Sequence, residues 1–125
     1  MSVLLDTDIV IEILRLRDQG ILTAWTALAV TSPNIFLTPV TAAEVWAGVR
    51  PREHRAAEQF LSSLTCVSVD YEIGHIAGDC LRQFSKSHNL KIGDALIAAA
   101  AIRHKAALWT RNRKHYPMPQ LTFFA

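Results

Sequence analysis

Short apolar runs alternate with amphipathic stretches along the whole chain. Val3-Leu4-Leu5 is too short for a helix and reads as a strand buried on both faces. Ile9, Ile13 and Leu16 fall near helical spacing and predict a helix over about Ile9 to Leu16, capped by Asp8. A second helix is expected over Gly20 to Val30, ended by Ser32-Pro33-Asn34. Phe36 to Val40 reads as the second strand, shortened by Pro39. Thr41-Ala42-Ala43-Glu44 opens another helix, which Arg50-Pro51 interrupts before helix resumes over Arg52 to Leu64. Cys66 to Val69 is β-rich, and Asp70 caps a helix over about Tyr71 to Ser87. After a loop from His88 to Gly93, Asp94 begins an alanine-rich helix reaching about His104. Ala107 to Thr110 is the fourth strand, and Leu121 to Phe124 a candidate fifth.

Strands that alternate with helices in this way predict an α/β fold. The expected form is three α/β/α layers around a parallel sheet of four to five strands. Ligand sites in such sheets lie beyond the carboxyl ends of the strands. Asp6, the Glu44 region and Thr110-Arg111-Asn112 each follow a strand, so topology gathers them on one edge. Asp94 joins them if its helix points its N-terminus there.

At 125 residues, half of them hydrophobic, the chain reads as one domain spanning 1–125 with a single sizeable core. No apolar run approaches the roughly 20 residues that span a bilayer, and the N-terminus reads as a strand, not a signal peptide. No membrane association is expected. Cys66 and Cys80 form no C-x-x-C pair and read as buried thiols of a cytoplasmic protein. The net charge is only +2, but eight of the thirteen Lys and Arg residues lie from Arg82 onward. Asp94 is the one acidic residue in that stretch. A basic C-terminal portion beside an acidic pocket suits a polyanion held by its backbone; the plainer reading is a solvated helix face.

Asp6, Glu44 and Asp94 would repel one another in a shared pocket unless a cation filled it, and a hard divalent ion suits oxygen ligands. Each also has a structural explanation. Asp6 could begin a turn, Thr41-x-x-Glu44 matches a capping box, and Asp94 could be an N-cap. Caps are equally served by Ser, Thr or Asn, yet all three positions carry carboxylates. Asp8 is either the cap of the first helix or a supporting acid. Thr110 could orient a carboxylate, and Asn112 could act near a metal or simply form a turn. The five histidines show no zinc-type pair, and neither phosphate-binding glycine loop is present. Trp25, Trp46 and Trp109 lie in apolar segments and read as core.

Four segments together resemble the PIN-domain ribonucleases, and among them the VapC toxins of toxin–antitoxin pairs. They are Leu4-Leu5-Asp6-Thr7-Asp8-Ile9-Val10-Ile11, Thr41-Ala42-Ala43-Glu44-Val45-Trp46-Ala47-Gly48, Ile92-Gly93-Asp94-Ala95-Leu96-Ile97-Ala98-Ala99-Ala100 and Trp109-Thr110-Arg111-Asn112-Arg113-Lys114-His115-Tyr116. The resemblance covers essentially the whole chain. It implies a metal-dependent endoribonuclease, with Asp6, Glu44 and Asp94 as catalytic metal ligands for Mg²⁺ or Mn²⁺. Asn112 falls at a fourth, often acidic position and removes one negative charge; Asp8 stands where the family often has Asn or Ser. Thr110 matches a supporting hydroxyl. Arg111, Arg113 and Lys114 become candidates for contacts to the RNA substrate. A cognate antitoxin protein and a homodimer are also implied.

Two other readings remain open. A catalytically degenerate PIN-like binding module is favoured by Asn112. A haloacid-dehalogenase-type phosphatase would use Asp6-Thr7-Asp8-Ile9-Val10 as its D-x-D-x-[TV] motif, but Asp94 lacks the later acidic companion.

Overall fold

The computed structural model describes residues 2–31 and 34–125. Four parallel strands form one sheet in the order β3-β2-β1-β4: β1 (Ser2–Leu5), β2 (Asn34–Leu37), β3 (Thr65–Cys66) and β4 (Ala107–Trp109). Six helices connect and cover them: α1 (Thr7–Arg15), α2 (Gln19–Thr31), α3 (Pro39–Gly48), α4 (His54–Ser62), α5 (Tyr71–His88) and α6 (Ile92–Arg103).

The alternating side chains of β1 explain the three layers. Val3 and Leu5 face one way and pack with Ile9, Val10, Ile13, Leu28, Val45 and Leu61 of the first four helices. Leu4 faces the other way and packs with Ile73, Ala77 and the alanines of α6. All three strand residues are fully buried. Burial on both faces is why this strand has no polar alternation. The tryptophans pack as expected from their apolar surroundings: Trp109 is buried against Phe124, and Trp25 meets Phe60 edge-on.

The chain moves outward from β1 to β2 to β3, then crosses back to place β4 on the other side of β1. Ligand sites in such sheets lie at this reversal, beyond the carboxyl ends of the two strands that flank it, here β1 and β4. Asp6 N–H donates to Trp109 O at 2.9 Å, carrying the pairing one residue past both strands.

Several boundaries differ from expectation, each for a local reason. Asp6, not Asp8, caps α1; its carboxylate accepts from Thr7 N–H at 2.7 Å while Asp8 lies inside the first turn. The second strand ends at Leu37, because Thr38 caps α3 and Pro39 takes the first helical position. Proline's fixed φ suits that position and its missing N–H costs nothing there. Thr38 Oγ1 accepts from Thr41 N–H, so the Thr41–Glu44 capping box does not form and Glu44 is released for other contacts. Asp94 is the third residue of α6, not its cap; Lys91 occupies the cap position. The helix expected from Arg52 begins as a 3₁₀ turn over Pro51–Glu53. The third strand shrinks to Thr65–Cys66, and Cys66 is exposed, not buried. The C-terminal segment makes a single bridge, Leu108 to Phe123, instead of a fifth strand. The predicted break at Ser32-Pro33 lies outside the described residues.

The alanine-rich helix is buried nearly all round, with Ala95, Ala98, Ala99, Ala100 and Ala101 in the core. At its start, a Cβ added to Gly93 would lie 3.5 Å from Val40 Cγ1 of α3. No helix among the described residues is long and apolar enough to cross a membrane.

Candidate functional site

Asp6 sits where β1 ends and α1 begins. Its side chain is 7% exposed and meets three donors. Oδ1 accepts from Thr7 N–H at 2.7 Å, and Oδ2 accepts from Thr110 Oγ1 and Tyr116 Oη, each at 2.8 Å. These contacts stabilise the charged form of a buried carboxylate and fix its plane. Thr110 comes from the end of β4, and its hydroxyl also accepts from Asn112 N–H at 3.0 Å. Tyr116 follows a 3₁₀ turn over Arg113–His115 and is buried.

Tyr116 Oη is also 3.4 Å from Asp94 Oδ1. A phenol has one hydrogen, so the shorter bond to Asp6 takes it. Burial and the charges of Asp6 and Asp94 push this phenol above its usual range, which keeps it a neutral donor. Asp94 has its own pKa raised, first by burial, then by the charges of Asp6 and Glu44, while the Tyr116 contact opposes the rise. Glu44 is exposed, and its Oε1 accepts from Thr7 Oγ1 at 2.6 Å. Thr7 Oγ1 also lies 3.0 Å from Thr41 Oγ1. The three acids named by the sequence thus share neighbours: Tyr116 donates to Asp6 and lies 3.4 Å from Asp94, and Thr7 meets Asp6 through its N–H and Glu44 through its hydroxyl.

Asp8 does a different task. Its Oδ2 accepts from Arg111 N–H at 3.0 Å and from Asn112 Nδ2 at 3.1 Å, pinning the loop after β4 to α1. The other oxygen, Oδ1, is buried with no hydrogen-bond partner among the described residues. Burial and the neighbouring Asp6 charge push the Asp8 carboxyl up to about 6. Asn112 thus spends its amide N–H on Asp8. Arg113 donates to Phe124 O at 3.3 Å and stacks over Phe123, which ties it to the C-terminal segment. Arg111 and Lys114 are exposed.

Among the described residues, no three Asp, Glu, His or Cys side chains stand together as a ready-made metal cage. The donor chemistry nevertheless suits a hard cation. It is all carboxylate and hydroxyl oxygen, and it includes a buried oxygen on Asp8 with no partner among the described residues.

Tyr116 was the residue sequence reasoning missed. It closed the last quoted segment without a role, and only its position after a basic turn hinted at it. Thr7 was likewise overlooked, although a hydroxyl between two acidic residues could have suggested a bridge.

The comparisons with known proteins fit this geometry. The PIN domain family model matches residues 3–120. The chain is 34% identical over 119 residues to Ribonuclease VapC10 of Mycobacterium tuberculosis, covering 93% of this chain and 86% of that one. It is 34% identical over 116 residues to Ribonuclease VapC19 of the same organism, covering 92% of each. Among solved structures, VapBC2 from Rickettsia felis, bound to a DNA fragment from its promoter, superposes with a TM-score of 0.81. It is 25% identical, with 99% of this chain and 98% of that chain covered. DNA-bound VapBC from Salmonella typhimurium shares the fold at a TM-score of 0.84 and 18% identity, covering 99% of this chain and 97% of that one. With its fold, its linked acids and these relatives, the chain belongs to the PIN-domain family and is homologous to the VapC ribonucleases.

Proposed function

We propose that this protein is a metal-dependent endoribonuclease and the toxin of a toxin–antitoxin pair. The observation that carries the reading is that Tyr116 and Thr7 bring Asp94, Asp6 and Glu44 to one rim, beyond the carboxyl ends of β1 and β4. Relatives with ribonuclease names support the chemistry. Solved complexes that pair such chains with VapB support a protein antitoxin as partner. A cytoplasmic homodimer completes the reading.

Asp6, Glu44 and Asp94 would hold Mg²⁺ or Mn²⁺, directly or through water. When bound, such an ion lowers the pKa of a coordinated water and offsets charge on a phosphate. The protein's own groups do the rest. Thr110 and Tyr116 fix Asp6 Oδ2, leaving Oδ1 with a free lone pair beyond Thr7 N–H. Thr7 holds both acids, Asp6 through its backbone N–H and Glu44 through its hydroxyl. Asp94, on the first turn of α6 beside Tyr116, would be the carboxylate placed to orient or deprotonate an attacking water. Attack by water would leave a 5′-phosphate and a 3′-hydroxyl.

The test is cleavage of total RNA with and without chelation, followed by mapping of the ends. EDTA should stop cleavage, added Mg²⁺ or Mn²⁺ should restore it, and Asp94→Asn should abolish it while the protein stays folded. Cleavage that survives full chelation, or an Asp94→Asn protein cutting at the parent rate, rejects the reading. One observation favours a second reading, a binding module without catalysis: Asn112 gives its amide to Asp8 instead of adding a fourth acid. Such a module would show no heat of Mg²⁺ or Mn²⁺ binding. The phosphatase reading of Asp6-Thr7-Asp8 gives way to the family assignment.

A further inference from the structure

Glu12 lies one helical turn beyond Asp8 on α1 and is 7% exposed. A buried carboxylate needs a cation or strong donors. Glu12 has two arginines, and both reach the same oxygen. Arg17 Nη2 is 2.6 Å from Oε1, and Arg111 Nη1 is 3.2 Å from it. The two guanidinium groups are therefore neighbours, although they come from opposite ends of the chain. Two local features bring them together. Leu16 caps α1 in the left-handed conformation at φ 55°, and Arg17 follows this turn to reach back to Glu12. Arg111 is held twice, by its backbone N–H to Asp8 and by its side chain to Glu12.

Within this trio one negative charge meets two positive ones, and the Asp8 carboxylate sits on the Arg111 backbone beside it. The side chains of Arg17 and Arg111 remain 60% and 49% exposed, so guanidinium N–H groups stay free beside the Asp8–Asn112 strap. Fixed, paired guanidinium groups match the oxygens of a phosphate. We propose that Arg17 and Arg111, positioned by Glu12, form a phosphate-binding fork that grips the RNA backbone beside the acidic site. The inference rests on the ribonuclease reading above and adds Arg17 as a contact and Glu12 as a positioning residue.

Binding is read by anisotropy with a fluorescein-labelled mixed-sequence single-stranded RNA, in an Asp94→Asn background, over a range of salt concentrations. Arg17→Ala and Arg111→Ala should each weaken binding and lower the slope of log affinity against log salt by about 0.7. In the parent background they should raise KM with kcat little changed, the signature of lost uniform binding. Glu12→Gln is decisive, because it adds net positive charge. If charge alone holds RNA, it binds as tightly as the parent or tighter, and the fork is wrong. If Glu12 sets the fork, binding weakens while Mn²⁺ affinity is unchanged. Should Glu12→Gln fail to fold, Arg17→Lys decides: the fork requires lower affinity with the salt slope kept, and parent affinity overturns it. Normal RNA cleavage together with unaltered slopes in both alanine variants rejects the fork alone. A parent protein that cuts no RNA rejects the ribonuclease reading and the fork with it.

Discussion

Asp6 and Glu44 carry the same charge on the same rim of the sheet, yet their surroundings are opposite. Asp6 is buried, rooted at a strand end, and surrounded by three donors on three segments. Glu44 is exposed on a helix face and held by one threonine hydroxyl. On the metal-dependent reading proposed above, the first would be a fixed ligand whose geometry the fold enforces. The second would be a movable one, held by a single side-chain hydrogen bond. A site so built would keep its fold without the ion.

Substituting the two acids separately gives the largest contrast. Asp6→Asn should lower RNA cleavage by more than about 10³-fold, since an ion ligand supplies several kcal/mol. It should also cost about 1–3 kcal/mol in denaturant unfolding, because an amide cannot accept from all three buried donors. Glu44→Gln should lose comparable activity with an unchanged unfolding midpoint. Equal stability losses would erase the distinction between fixed and movable acid.

Tyr116→Phe should come next. It removes one of the two hydroxyls on Asp6 Oδ2 and the contact with Asp94. Loss of an outer-shell partner of a metal ligand typically lowers metal affinity about 10–100-fold. A Mn²⁺ titration by calorimetry measures it, and parent affinity would show that Thr110 and Thr7 suffice to hold Asp6.

Thr7→Val should have a smaller effect, of about 1 kcal/mol or less in stability. It frees Glu44 and leaves the Thr7 backbone bond to Asp6 intact. Metal affinity should change only a few-fold, in either case far less than for Tyr116→Phe. A larger loss would mean that Glu44 is not the mobile member.

The smallest effect concerns pH. The Asp8 carboxyl rises from 3.8 to about 6 on folding. A carboxyl raised by folding favours the folded state below its unfolded pKa, and that contribution is lost as pH rises through the folded value. In EDTA, the melting temperature should therefore fall between about pH 4 and pH 7 more steeply for the parent than for Asp8→Asn. Parallel curves would place the rise elsewhere.

Much of this arrangement was legible in the chain. The buried first strand, the alternation of strands with helices, and the carboxylates at strand ends follow from hydrophobic pattern and topology. The contacts themselves were not. Phe36 to Val40 reads as one strand, but Thr38 caps α3 by accepting from Thr41 N–H and Pro39 takes the first helical position, which ends the strand at Leu37. Asp6 and Asp8 compete for one cap, and only the β1–β4 register, which draws Asp6 N–H to Trp109 O, settles which wins. Tyr116 lies 110 positions from Asp6, so no local pattern could link them. Glu12, one helical turn past Asp8, reads in the sequence as facing solvent or an arginine; the structure gives it two arginines and buries it, and no local pattern names Arg111 as one of them.

Gly93 stands beside Asp94 at the start of α6, where an added Cβ would meet Val40 Cγ1 of α3 at 3.5 Å, an ordinary contact distance. Alanine should therefore be accepted there with little change, whereas a branched side chain should press on the valine and disturb its surroundings. The room left next to that acid is thus about one methyl group.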